Sequence, residues 1–365
     1  LVLDRGYGFA DVDRQEPVQP GALFRIASVS KAFTAVAILT LVDAGALTLD
    51  TPVFPLLGLA AAPHAARDPR LDTITVEQVL VHAGGWDAAA SLDPQYLPWS
   101  RMAAATLGRS DPAESTTIVR YMLGVPLDFD PGARQAYSNF GFNLLGRVIE
   151  HVSGQPYADF VRDRVLTPAG ITTMRMGRTR REDRAPGEVR YYSPPGLPLG
   201  ESVFWGEGYV PDAYGHYYLE AMDSHGGWLA SAADLVRFAT AVDGQRGAAL
   251  LSPEMVRTML TTPRPKADPG SGSVPVAAGL GWDVRPVAGG AEWSRTGALV
   301  GTSAAWVVRS PDGVAMAYAF NSLPLDFPAL FFASFDALLA AAGAIQTWPE
   351  HDLFAAAGSA AMPGA

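Results

Sequence analysis

Ser28 and Lys31 stand three positions apart at the head of an apolar run, Ala32 to Ala44, that closes at Gly45. If the run is a helix, one turn puts both side chains on the same face. Lysine occurs only at positions 31 and 266; every other basic residue of the 27 is arginine. Arginine cannot lose its proton in a protein, whereas a partly buried lysine can. A lysine with that capacity beside a serine hydroxyl is what an activated nucleophile requires. The tetrapeptide S-x-x-K is common by chance. The weight therefore rests on the scarcity of lysine and on the apolar helix behind it.

The elements that must position this pair follow from patterning. Residues 32–44 read as a buried helix with a C-terminal glycine. Leu1 to Ala10 reads as a strand. Thr75 to His82 reads as a short helix with a Thr75/Gln78 capping box, and residues 86–117 as irregular. Helices are expected over 116–123, 140–152 and 156–165. Ser231 to Asp234 is a second capping box, starting a helix through Val242, and Ser252-Pro253-Glu254 starts another. Short strands are expected at 281–285, 292–296, 303–309 and 314–320, the last two joined by the Pro311-Asp312-Gly313 hairpin signal. A helix over 328–342 follows. The economical architecture is α+β: an antiparallel sheet built from both chain ends, flanked by helices, with a mainly helical insertion. The expected division is 1–50 with 225–365 as the sheet domain and 51–224 as the helical one, the active site lying at their interface.

Composition narrows the classes. With 48% hydrophobic and 18% charged residues the chain is globular. A net charge of −10 without a long basic run makes nucleic acid an unsuitable partner. The absence of cysteine excludes disulfides, a thiol nucleophile and cysteine-ligated metal, and fits both the cytosol and an exported protein. No uninterrupted apolar span is long enough for a bilayer. His82 and His225 lack zinc spacing and read as structural. No metal or cofactor is implied.

Three groups then line up in order: Ser28-Val29-Ser30-Lys31, Tyr137-Ser138-Asn139 and Arg295-Thr296-Gly297. In this the chain resembles the serine β-lactamase and penicillin-binding-protein superfamily, in particular its class C β-lactamase, D-alanyl-D-alanine carboxypeptidase and family VIII esterase branch. Connecting segments resemble that family too, among them Gly6 to Ala10, Thr75 to His82, Gly226 to Ser231 and Arg309 to Gly313. Members usually carry a helix and a further strand ahead of the segment resembling residues 1–10, so the sheet is expected to begin differently here or to have elements ahead of Leu1. The resemblance implies Ser28 as nucleophile, its own N–H and that of Ala298 as oxyanion donors, and Lys31 or Tyr137 as the base. A phenol beside a cation is expected to have a depressed pKa. Asn139 would hold Lys31 and a substrate carbonyl. Read without the other motifs, Tyr137 packs on Phe140 and Asn139 caps the next helix. Arg295 stands where the branch has Lys or His. It keeps the positive charge near the substrate, while its bulk and fork geometry argue against strong β-lactamase activity.

The implied function is a serine hydrolase acting through an acyl-enzyme on an ester, amide or β-lactam carbonyl of a small-molecule or short-peptide substrate. Two alternatives share the chemistry: an acyltransferase, and a penicillin-binding sensor that acylates without turnover. A sensor would come with a membrane span or partner domain. Residues 194–223, rich in Gly and aromatics, form a long excursion. One reading makes it a cover for the helical domain. The sharper one makes it one wall of the cleft beside Ser28, with Trp205 and Tyr209 receiving an apolar or aromatic acyl group; the resemblance adds Thr296 and Gly297 of the third motif as substrate-binding residues.

Overall fold

The computed structural model describes all residues except 64, 110, 111, 246, 266–278, 300, 324–326 and 355–365. Lys266 thus lies outside the described residues. The organising helix, α1 (Ser30–Asp43), is buried at every position from Ser30 to Leu39. A helix apolar on all sides has no solvent face and must run through the core. Its end is a Schellman arrangement: Gly45 adopts φ +72°, Ala46 N–H reaches Leu41 O and Gly45 N–H reaches Val42 O, both at 2.9 Å. Phe33 stacks on Phe238 of helix α3 (Ala232–Val242) at 3.8 Å between centroids, and Phe238 stacks on Trp282. Truncating such a ring costs about 3–5 kcal/mol. Helix α2 (Asn139–Ser153) packs across α1 and begins at Ser138, whose Oγ accepts the Gly141 N–H at 3.1 Å.

The sheet is antiparallel. Strands β1 (Asp283–Val287), β2 (Gly290–Leu299), β3 (Ser303–Arg309) and β4 (Ala315–Phe320) lie in the order β4-β3-β2-β1. Every residue of β3 is buried. Ala305 and Val307 join the core around α1, while Ala304, Trp306 and Val308 join a second cluster with Phe335 and Leu339 of the helix Phe327–Gly343. Alternation along the strand therefore buries both faces under helices, which is why β3 reads as a continuous apolar run. A smaller sheet pairs Trp228–Ala230 with Phe24–Arg25 on one side and Arg175–Met176 on the other, and delivers the chain to Ser28.

The fold is thus the β-lactamase/transpeptidase-like α+β arrangement, with differences in detail from the expected elements. The first eight residues form no strand; Phe9–Asp11 pairs locally with Glu16–Pro17, and its tie toward the large sheet is Asn321 Nδ2 donating to Phe9 O at 3.1 Å. The four main strands all come from the last third of the chain. The segment 86–117 is not wholly irregular: it contains the helix Trp99–Thr106, whose prolines lie ahead of it at 94 and 98 rather than inside. The helix expected over 156–165 is α only for Tyr157–Val161 and continues as one π turn, Arg162–Leu166. Among the described residues no helix is long and apolar enough to cross a membrane.

Candidate active site

Ser28 lies in a 3₁₀ turn, Ala27–Val29, that runs directly into α1. The residue before it, Ala27, has φ +47°, a left-handed value that costs an alanine about 1 kcal/mol or more. Strand β2 lies hard against this turn. A Cβ on Gly297 would sit 2.7 Å from Ser28 N and 2.8 Å from Val29 N, and closer still to Ile26 O. Only glycine allows that approach.

Lys31 is fully buried, and its Nζ has three partners: Ser28 Oγ at 2.9 Å, Asn139 Oδ1 at 2.8 Å and the His225 carbonyl at 2.9 Å. Ser28 Oγ also lies 2.6 Å from the Tyr137 hydroxyl. Two of the three lysine partners can only accept. A neutral amine would spend its two N–H groups on them and leave its lone pair facing the serine hydroxyl. The lysine pKa lies well below its usual 10.5, because of burial first and the Arg295 cation second, with Asp93 opposing. The Tyr137 phenol moves the other way. Burial raises its pKa, outweighing Arg295 and the Ser28 hydrogen bond. The depressed phenol expected from a neighbouring cation is therefore corrected: desolvation wins, although 37% of the tyrosine as a whole is exposed.

Ser138, not Asn139, caps α2, and this leaves the Asn139 amide free to face inward. Its orientation is fixed from both ends, since Oδ1 accepts from Lys31 and Nδ2 donates to Asp93 Oδ2 at 2.8 Å. Asp93 was missed by sequence reasoning. It sits in the segment read as irregular, with no spacing relation to any motif, and only the fold brings it here. Burial raises its pKa, while Asn139, the Gln95 N–H and Lys31 oppose that. Arg295 is 3% exposed; its Nε donates to Ser28 O at 3.3 Å and Nη1 lies 3.8 Å from Asp283. Arg264 binds the same carboxylate at 3.2 Å.

The structure therefore gathers Ser28, Lys31, Tyr137, Asn139, Arg295 and Gly297. Thr296 and Ala298 lie on the opposite face of β2, opposite Trp306 and Ala304 of β3, with Ala298 exposed. Trp205 and Tyr209 are not gathered. They are 72% and 71% exposed, and neither makes a hydrogen bond, ion pair or ring contact with the cluster; Trp205 instead lies under Arg101. The other end of the excursion comes closer: Tyr217, Leu219 and Met222 pack with Ala27 and Leu299, and Tyr96 closes that patch with its ring 6.5 Å from Tyr217.

Residues 1–339 match the sequence profile of the family described as Beta-lactamase. The chain is 29% identical over 218 residues to protein flp of Staphylococcus aureus (strain MW2), 59% of this chain and 40% of that protein; it thus spans well under half the length of this relative. Among solved structures it resembles the D-amino acid amidase of Ochrobactrum anthropi SV3, complexed with L-phenylalanine amide, at TM-score 0.65 and 25% identity, over 88% of this chain and 82% of that one. It also resembles a penicillin-binding protein from Bacillus halodurans at TM-score 0.64 and 21% identity, over 91% and 90%, a likeness of fold alone.

Proposed function

The chain belongs to the β-lactamase family, a serine hydrolase superfamily, and from that premise we propose that it cleaves small amides or esters through an acyl-enzyme on Ser28. The observation that carries this is the hydrogen-bonding of Lys31, whose two obligate acceptors leave its lone pair to the serine. In this reading neutral Lys31 takes the Ser28 proton as Oγ attacks the carbonyl carbon. The tetrahedral oxyanion is met by the backbone N–H groups of Ser28 and Ala298, with Arg295 adding positive charge behind them. Tyr137, a phenol at rest, donates its proton to the leaving nitrogen or oxygen, and the ammonium of Lys31 restores it. Water then attacks the acyl-enzyme by the reverse route.

The amide or ester preference draws on the resemblance to an amidase at 25% identity and on Arg295 in place of the smaller Lys or His. The test is covalent labelling. Incubation with a fluorophosphonate followed by peptide mapping should place one adduct on Ser28, and Ser28→Ala should abolish it. Labelling elsewhere would overturn the assignment. Turnover of a short nitrophenyl ester or an amino-acid anilide, with slow turnover of a chromogenic cephalosporin, is the expected substrate pattern. A burst without turnover on all three would instead favour a sensor.

A further inference from the structure

His82 is a buried side chain next to the cluster that the chemistry above does not use. It is 3% exposed and holds φ +58°, a left-handed backbone that histidine adopts at a cost. Two of its atoms grip the segment carrying Tyr137. The His82 carbonyl accepts the Ala136 N–H at 2.9 Å, and its ring Nδ1 accepts the Ser138 N–H at 3.2 Å. Those two donors flank Tyr137 on either side. The imidazole also lies against the tyrosine ring, with centroids 4.7 Å apart. Because Nδ1 accepts, the neutral ring carries its proton on Nε2, which is buried with no partner among the described residues. Protonation of Nδ1 would remove the acceptor. Burial, then Arg295, Arg264 and Lys31, hold the pKa well below 6.5 and keep the clamp closed.

We propose that His82 is the positioning residue of Tyr137: its carbonyl and Nδ1 fix the 136–138 backbone, and its ring fixes the phenol, so that the hydroxyl stays on Ser28 Oγ. The left-handed backbone at His82 is what lets one residue present its carbonyl and its side chain to the same loop. This rests on the role given to Tyr137 above, and the experiment separates the two. Acylation by an amino-acid anilide, whose leaving nitrogen must be protonated, is measured for His82→Phe, which keeps a ring but has no acceptor, and for His82→Asn, whose Oδ1 can accept and which tolerates a left-handed backbone. Misplacement of a catalytic group by about 1 Å costs about 10²-fold, so His82→Phe should lose about that much in kcat with KM little changed. His82→Asn should recover most of it. In a Tyr137→Phe background the His82→Phe change should cost less than about threefold, because the two act as a unit. An Asn variant that folds and still loses about 10²-fold against the natural sequence overturns the proposal, and this outcome does not depend on whether His82→Phe folds. Full additivity of the two Phe changes overturns it as well. If Tyr137→Phe alone costs nothing, the role of Tyr137 fails and the proposal falls with it, while labelling of Ser28 stands or falls separately.

Discussion

Lys31 and Arg295 are both buried cations, and their environments assign them different tasks. Lys31 faces two obligate acceptors and a hydroxyl, so as a neutral amine it can take the proton of Ser28. Arg295 faces a carbonyl and a carboxylate and stays charged. Lys31→Arg should therefore lose about 10²-fold or more in kcat/KM, the scale of general-base loss, while Arg295→Lys retains most activity. Comparable losses in both would refute this division. The pH profile gives a second reading. Activity requires neutral Lys31, so it should rise with pH through the depressed lysine pKa and fall only above pH 10, where the raised phenol pKa of Tyr137 lies. Arg295 is one of the two causes of that depression. Arg295→Gln should raise the lysine pKa and move the acidic limb of kcat/KM to higher pH, whereas Arg295→Lys should leave the limb in place. A limb that ignores both changes would mean that Lys31 is not the group it reports.

The excursion over residues 194–223 divides at the level of the element. Its hairpin, Gly200–Glu201 paired with Tyr209–Val210, projects Trp205 and Tyr209 into solvent. Its return, through Tyr217 to Met222, is tied down: Tyr217 donates to Thr302 at 3.1 Å, and the buried Arg25 donates to the carbonyls of Arg178 and Ala213 and stacks on Tyr191. We propose that the apolar side of the cleft falls to Tyr96 and the return, which pack beside Ala27, rather than to the exposed hairpin. Tyr96→Ala should raise KM for a bulky acyl ester by about tenfold, the worth of about 1.4 kcal/mol of lost burial, with little change for an acetyl ester. Trp205→Ala and Tyr209→Ala should spare both and affect only longer substrates; a large effect on the bulky ester would restore the hairpin as the wall. The same contrast explains what the sequence could tell. Ser28 and Lys31 are legible because lysine is scarce in this chain and here heads an apolar helix, whereas Tyr137, Asn139 and Arg295 are legible only through the order of three motifs in the family the chain resembles. Capping boxes at Thr75 and Ser231 are legible for the same local reason, and both are present. Asp93 and Tyr96 are not, because their placement depends on how loops with no period of their own fold back across α2 and the strand turn; His82 follows a legible capping-box helix, but its hold on residues 136–138 exists only in the folded chain. Aromatic content alone could not separate the exposed Trp205 from the buried Tyr217.

At the scale of the molecule, the cluster joins segments distant in sequence: α1 supplies Lys31, the head of α2 supplies Asn139, and the return from the excursion supplies the His225 carbonyl. We propose that these contacts straddle the boundary between residues 1–50 with 225–365 and residues 51–224, which places the chemistry where the two parts meet. Burying an ionisable lysine at such a junction has a consequence for the whole fold. In the unfolded chain Lys31 titrates at its ordinary value of about 10.4; in the folded chain it titrates well below that. Between the two values the unfolded state binds a proton that the folded state lacks, so folding is penalised there and stability rises with pH. The penalty is largest at the low end of the window and vanishes above the unfolded pKa. Lys31→Met removes the titration. The stability of the natural sequence minus that of the Met variant, from urea unfolding at a series of pH values between 7 and 10, should therefore increase with pH, by at most about 1.4 kcal/mol per pH unit for one proton. The shared contributions of His82 and His225, both lowered well below 6.5 by burial, lie outside this range and cancel in the difference. The two lost acceptor contacts at Asn139 and His225 shift the Met variant by a constant and leave the slope untouched. A difference that stays flat from pH 7 to 10 would mean that Lys31 keeps its proton in the folded state, and the base would then have to be sought at Tyr137.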